Sequence, residues 1–534
     1  MHSLFIDYVY LVLIIIGLNM LANKLRIAYP IVLVLGGLAL SFVSIFSHIT
    51  IDPDLIFFIF LPPLLYEAAW QTSWKEFWRW RRIIMSFAFP IVIITSSVVA
   101  FASNAIIPGF TLALGFLLGG IVSPPDAVSA TTILRQVKAP KLLVSIAEGE
   151  SLLNDASSLI VFRFALAAVI TGQFHWQQAA TSFILVIIMG TLIGLGIGLI
   201  FYAIHKWLPT TSSIEIVLTL ITPYCMYYAA EYFHFSGVLA VVAGGLLLSS
   251  KRQNMLTYKS RVESVNVWSS FVFVLNGLIF FLIGLQLPAV TDQLGEISIG
   301  KAIGYGLAIS LVLIFVRLAS TFGASLFTRF MSRFITVANP NPGWKGPMIF
   351  GWSGMRGVVS LAAALSIPLY IGQQPFPHRN LILFITFIVI LVTLVLQGLT
   401  LPWVIRKVNL EDEDDSIPEL QQEKIIQKKM AYHSLKFLDE KYGEHLLDNE
   451  HFKNLKRKLK AELDYFNHSL KEEEETIDHS LNDYHNVYLE LLEEQRNILN
   501  KMNQKAEFDE ELIRKYHSLI DIEELRIREK RIEP

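Results

Sequence analysis

Apolar runs of membrane-crossing length recur along the first three quarters of the chain, separated by short clusters of Lys, Arg, Gly and Pro. A helix needs about 20 predominantly apolar residues to cross a bilayer. On that measure about thirteen spans are predicted, near 4–22, 28–47, 54–70, 83–106, 110–134, 142–170, 178–204, 214–233, 236–250, 266–288, 300–327, 346–370 and 381–405. After residue 410 the pattern changes. Apolar residues there return at helical spacing among charges, as in Leu481, Tyr484, Val487, Tyr488, Leu491 and Leu492, which reads as amphipathic helices. The predicted fold class is an all-α polytopic membrane protein with a helical cytosolic tail. The predicted domains are a membrane domain at 1–410 and a tail at 411–534, which opens on the acidic run Glu411 to Asp415.

Composition supports this division. The 534 residues are 53% hydrophobic and 17% charged, with a mean hydropathy of +0.49, too apolar for a soluble domain. Residues 1–410 carry 24 Lys/Arg against 14 Asp/Glu, and residues 411–534 carry 20 against 32, giving net charges of +10 and −12. The single cysteine, Cys225, excludes an intrachain disulfide. The run from Val9 to Leu21 lacks a basic leader and a small-residue cleavage site, so it reads as a first span. Basic residues form no stripe, and no nucleic-acid partner is expected.

Alternate loops carry the bases. Lys24 and Arg26; Lys75, Arg79, Arg81 and Arg82; Arg135, Lys138 and Lys141; Lys206; Lys251, Arg252, Lys259 and Arg261; Arg329, Arg333 and Lys345; and Arg406 and Lys407 fall on one side. The other side has Lys301 and Arg379 with Asp52, Asp54, Asp292 and Glu296. The positive-inside rule makes the first set cytoplasmic. The N-terminus is then outside and the tail inside.

Against this apolar background a few polar groups stand out. Glu148, Glu150, Asn154 and Asp155 lie in mid-span, and Asp126 follows Pro124-Pro125 in the span before. Carboxylates at membrane depth are costly and mark ion or proton pathways. The prolines predict an opened helix over 119–126, and opened backbone is tolerated there only in a cavity or inside protein. Gly351, Gly354 and Gly357 interrupt a second span beside Arg356. Two interrupted spans in the two halves of the chain point to inverted repeats with a midplane site, as in secondary transporters. Ser151 and Asp155 share a helix face. With Asp126 they offer hard oxygen ligands suited to a small hard cation. Burial of a carboxyl group brings proton binding toward the physiological range, so a cation and H⁺ can compete for one site. The bases inside spans, Arg163, Arg317 and Arg356, need buried partners. Arg163 lies eight residues after Asp155 and either tunes it or reaches to the interface.

Four motifs carry a resemblance: Phe58 to Glu67 (FIFLPPLLYE), Val122-Ser123-Pro124-Pro125-Asp126, Glu148 to Asp155 (EGESLLND) and Gly354 to Leu361 (GMRGVVSL). In this order they resemble the monovalent cation/proton antiporters, which include NhaP-type and animal sodium/proton exchangers. The likeness spans about residues 10–408. It implies that Asp155 binds cation and proton in turn. Asp126, Ser151 and a carbonyl near Pro125 would complete the site. Asn154 stands where electrogenic relatives carry a second Asp, which implies electroneutral exchange. Glu150 would pair with Arg317, and Arg356 would hold the second unwound segment. The resemblance further implies two crossing unwound helices, a homodimer in membrane lipid, and Na⁺, or alternatively Li⁺ or K⁺, exchanged for H⁺ with no cofactor. The family often reads Thr-Asp-Pro where this chain has Pro125-Asp126-Ala127, so a threonine hydroxyl is missing and the ion preference stays open.

A channel would need no proton competition. An intramembrane aspartyl enzyme could in principle use Asp126 and Asp155 as a dyad, although the paired helix breaks and the arginine partners argue against it. Glu67, Glu215 and Glu231 are expected at span ends, as are His175, His205 and His234. Gly190, Gly194 and Gly198 have the small-xxx-small spacing of closely packed helices.

Overall fold

The computed structural model describes residues 2–25, 27–42, 56–137, 139–173, 176–292, 294, 297–334, 343–409, 419–446, 450–469, 475–503 and 510–530. His175 and the run Glu411 to Asp415 lie outside the described residues. The chain divides into two compact units, residues 1–412 and 413–534.

The first unit is helical apart from one two-residue ribbon, Tyr370–Ile371 against Gln374–Pro375, among the described residues. In chain order its helices are α1 (His2–Leu25), α2 (Tyr29–Leu40), α3 (Leu61–Gln71), α4 (Trp74–Ile106), α5 (Leu112–Val122), α6 (Ala127–Gln136), α7 (Lys141–Thr171) and α8 (Trp176–Trp207). They continue as α9 (Ser212–Tyr232), α10 (Gly237–Met255), α11 (Tyr258–Leu285), α12 (Leu287–Asp292), α13 (Ile299–Met331), α14 (Lys345–Trp352), α15 (Val358–Leu365) and α16 (Arg379–Val408). Seven of them are long and apolar enough to cross a membrane: α4, α7, α8 over Thr181–Trp207, α9, α11, α13 and α16. The sequence count of about thirteen adds the shorter helices and the two interrupted pairs, α5/α6 and α14/α15, to these seven.

Local chemistry sets many of the starts. Thr111, Thr211, Ser236 and Thr257 each accept a backbone N–H from the first turn of the helix that follows, the usual task of an N-cap hydroxyl. Pro90 does not end α4. A single π turn at Phe87–Ile91 absorbs it, as expected where proline removes one helical hydrogen bond.

Packing follows the small residues. A Cβ on Gly194 would lie 2.0 Å from the Ala240 carbonyl oxygen, and one on Gly190 would lie 2.9 Å from that of Ser236. The stripe on α8 therefore lets its backbone touch α10, as its spacing predicted. α5 packs between α4 and α7, and α13 against α16. These contacts bring α7, both interrupted pairs and α13 around one buried centre.

The second unit is made of α17 (Glu419–Leu446) packed on α18 (Glu450–Ser469), and α19 (Glu475–Asn503) packed on α20 (Glu510–Lys530). The second pair closes on Leu492, Ile520 and Ile527, with Tyr488, Leu489 and Leu499 against them. Arg496 bridges the pair, reaching Asp521 at 2.7 Å and Glu524 at 2.5 Å, and Arg528 reaches Glu524 at 2.6 Å. The hydrogen bonds from Arg496 and then Arg528 hold the Glu524 carboxyl below the usual carboxylate range.

Candidate ion site

Both predicted breaks are present. α5 stops at Val122 and α6 starts at Ala127, with Ser123 to Asp126 between them. α14 stops at Trp352 and α15 starts at Val358. The breaks touch each other. The backbone N–H of Asp126 donates to the Met355 carbonyl at 2.7 Å. A Cβ on Gly357 would lie 2.7 Å from the Asp126 carboxyl carbon, so only glycine lets that carboxylate approach.

Arg356 joins the two openings. Its Nε donates to the Val122 carbonyl at 2.6 Å, its Nη1 to the Gly354 carbonyl at 2.5 Å, and its backbone N–H to Thr393 Oγ1 at 3.1 Å. The side chain is 1% exposed. Carbonyls freed by both breaks are thus satisfied by one guanidinium, whose rigid fork of donors suits the task.

Asp126 is the N-cap of α6. Its carboxylate accepts from the N–H groups of Val128 at 3.2 Å and Ser129 at 3.3 Å, and from Ser129 Oγ at 2.5 Å. The positive end of the helix dipole favours a negative charge there. Asp155 differs. It sits in the unbroken middle of α7, is 7% exposed, and receives no hydrogen bond on its carboxylate among the described residues.

A small cavity holds both acids, with Pro124, Pro125 and Gly357 to Ser360 as its other walls. A second small cavity adjoins it, sharing Pro125 and Asp126, and is lined also by Ala130, Ala147, Glu150, Ser151, Arg317, Phe350 and Ser353. Asp155 lines the first of these adjoining cavities and Ser151 the second.

Glu150 and Arg317 form a buried fork, with Nη1 to Oε1 at 2.5 Å and Nη2 to Oε2 at 2.6 Å. The guanidinium also lies 5.1 Å from the Phe87 ring and 4.8 Å from the Phe350 ring, a cation–π clamp in a desolvated setting. The pair ties α7 to α13.

A sequence profile of the family described as sodium/hydrogen exchanger, transmembrane, matches residues 10–407. The chain belongs to the sodium/hydrogen exchanger family. It is a multi-pass membrane protein by that membership and by its apolar helices. It is 34% identical over 411 residues to a sodium, potassium, lithium and rubidium/H⁺ antiporter of Bacillus subtilis, a match covering 74% of this chain and 60% of the relative. The low-affinity Na⁺/H⁺ antiporter NhaS1 of Synechocystis is 32% identical over 396 residues, covering 72% of this chain and 70% of the relative. The chain spans 60% and 66% of the length of two Bacillus relatives it matches. The structure of the sodium proton antiporter MjNhaP1 from Methanocaldococcus jannaschii has the same fold, with a TM-score of 0.58, 19% identity, and coverage of 77% of this chain and 100% of that one.

Within this family member the expected residues fall into three places. Asp126, Asp155 and Pro125 line one cavity. Ser151, Glu150 and Arg317 line the other, along with Asp126 and Pro125. Asn154 lines neither. It is fully buried, its Nδ2 sits 3.5 Å from the Pro125 carbonyl oxygen, and its Oδ1 has no partner among the described residues. That amide donor engages the carbonyl expected to serve an ion.

Arg163 is not placed on Asp155. It pairs with Glu231 at 2.7 Å and 2.8 Å, and Glu231 also accepts the Gly237 N–H at 3.1 Å. Glu215, expected at an interface, is 1% exposed and accepts from Thr257 N–H at 3.1 Å, Thr257 Oγ1 at 3.2 Å and Thr210 at 2.9 Å. It stitches α9 to the start of α11. Sequence reading also passed over Ser129 and Thr393. Ser129 was findable, because Asp-x-x-Ser after a proline break is a helix start with a capping acid. Thr393 was not, because its use depends on where α16 lies against the second break.

Proposed function

We propose that the chain is a secondary active antiporter exchanging Na⁺ for H⁺, with Asp155 binding the cation and the proton in turn. The contrast between the two acids carries this reading. Asp126 accepts three hydrogen bonds at a helix start, so it serves as a fixed negative charge. Asp155 faces the same cavity with both oxygens free of donors, and a carboxylate so placed can take either a metal ion or a proton. Hard oxygens suit an alkali cation.

The exchange is electroneutral in this reading. One carboxylate competes, and its neighbour Asn154 is neutral, so the site carries the same charge whether loaded with one Na⁺ or one H⁺. The two openings, joined through Arg356, move as one body relative to the remaining helices to give alternating access. Basic loops alternating along the chain support thirteen crossings with the N-terminus outside and the tail cytoplasmic. The same reading takes the working unit to be a homodimer in a cell membrane.

Li⁺ and K⁺ are alternative cargoes. The Bacillus subtilis relative is named for four cations and the Synechocystis relative for Na⁺. The named relatives are antiporters, and Asp126 is engaged as an acceptor, so an intramembrane aspartyl enzyme has no support.

The test is cation-driven proton movement in vesicles carrying wild type or Asp155→Asn, with Na⁺, Li⁺ and K⁺ added separately. Wild type should move protons on addition of at least one ion, and the variant should not. Coupled flux that survives in Asp155→Asn would remove Asp155 from its role. Wild-type flux that ignores the pH gradient would favour a channel.

A further inference from the structure

We propose that the Ser360 hydroxyl is a third side-chain oxygen for the transported cation, beside Asp155 and Asp126, and that it sets cation affinity. This rests on the reading of the Asp155 cavity as the cation site.

Eight residues line that cavity, and five of them, Pro124, Pro125, Gly357, Val358 and Val359, have no polar side-chain atom. Among the described residues, Asp126, Asp155 and Ser360 remain as side-chain ligands. Ser360 is 2% exposed, and its hydroxyl is buried with no hydrogen-bond partner among the described residues.

That is unusual in this molecule. Hydroxyls in its helices mostly turn back on a carbonyl three or four residues earlier, as Thr95 does to Ile91, Ser103 to Ala100, Ser158 to Asp155, Ser310 to Gly306 and Thr393 to Val389. This is the ordinary fate of Ser and Thr in apolar helices. At Ser360 the equivalent carbonyls belong to Gly357 and Arg356, which lie in the break before α15 rather than in a helix. The break leaves the hydroxyl unclaimed.

Among the described residues three other buried Ser or Thr hydroxyls lack partners, those of Ser96, Ser123 and Thr386. None of them lines the cavity of the two acids. A buried hydroxyl left unsatisfied is destabilising, and an unpaired one in the wall of a ligand cavity is accounted for by a ligand that supplies the missing interaction. An alkali cation leaving water needs several oxygens around it. Two carboxylates supply the charge, and a neutral hydroxyl adds an oxygen without adding repulsion. A proton on Asp155 needs no such third oxygen. Losing the hydroxyl should therefore weaken the cation and leave the proton alone.

The experiment is cation-driven proton flux in vesicles for wild type, Ser360→Ala, Ser360→Thr and Asp155→Asn, each titrated with Na⁺, Li⁺ and K⁺. Ser360→Ala should raise the half-saturating concentration of the transported cation about tenfold, the size of one good hydrogen-bond-like contact, with maximal rate within about twofold. Ser360→Thr, which keeps the hydroxyl, should restore most of the affinity. An unchanged half-saturating concentration in Ser360→Ala overturns the proposal. So does a fall in maximal rate and melting temperature with no change in affinity, since that marks a packing role. If Asp155→Asn keeps coupled flux, the cavity itself is misassigned; if Asp155→Asn is dead and Ser360→Ala matches wild type, only the role of Ser360 fails.

Discussion

Asp126 and Asp155 open into the same cavity from two kinds of backbone. Asp126 stands at a helix break, where exposed N–H groups and the Ser129 hydroxyl surround its carboxylate. Asp155 stands in the unbroken α7, where every nearby backbone N–H is already used within the helix. Backbone opening therefore decides which acid is fixed and which is free. An acid at a helix start is solvated by the protein. An acid in mid-helix must find its partner in what the cavity admits.

That comparison can be broken most sharply at the acids themselves. Asp155→Asn should reduce exchange at least 100-fold, while the melting temperature stays near that of wild type, because no internal bond to its carboxylate is lost. Asp126→Asn keeps a good capping side chain and should fold, yet lose most transport through loss of the fixed charge. Asp126→Ala should lose transport and also about 1 kcal/mol of helix-start stability. Equal melting of the Asn and Ala variants would contradict the capping role.

Gly357→Ala comes next. Its new Cβ would press on the Asp126 carboxyl at 2.7 Å, so flux should fall at least tenfold, with the half-saturating cation concentration raised. A wild-type titration would show that the close approach of the two breaks is not needed.

The Glu150–Arg317 fork concerns stability more than cargo. Removing one partner strands a buried charge, and Arg317→Ala should cost about 3–5 kcal/mol, read as a large drop in melting temperature in detergent. Changing both residues to apolar ones of similar size should recover part of that loss.

Arg163→Ala should have a small effect. The pair with Glu231 is partly exposed, with 46% and 20% of the side chains accessible, and such pairs contribute about 1 kcal/mol or less. The pH profile of exchange should not move. A shifted profile would restore a link from Arg163 to Asp155.

The smallest expected effect is in the tail. Arg496, and after it Arg528, holds the Glu524 carboxyl below its usual range. A depressed carboxyl contributes stability that is complete above the unfolded value of about 4.3. That stability is lost as pH falls through the lower folded value. Amide protection in α19 and α20 of the full chain, taken relative to the intrinsic exchange rate at each pH, should therefore be steady at neutral pH and fall below about pH 4, by less than about 1 kcal/mol. Glu524→Gln should flatten this acid dependence.

The sequence by itself determined the helical membrane class, the breaks at Pro124-Pro125 and at Gly351 to Gly357, and the acids worth watching. Helix periodicity, proline geometry and the cost of charge in lipid are local or one-dimensional constraints, readable without neighbours. The residues alone said only that Arg317 needs a buried acid, and it was the family resemblance that implied Glu150. Tertiary structure decided the rest. It put Arg356 across both openings, gave Arg163 to Glu231 and buried Glu215 beneath the start of α11. It also left Ser360 unpartnered among the acids. Each of these depends on which helices lie side by side, and contacts between residues tens to hundreds of positions apart leave no periodic trace along the chain.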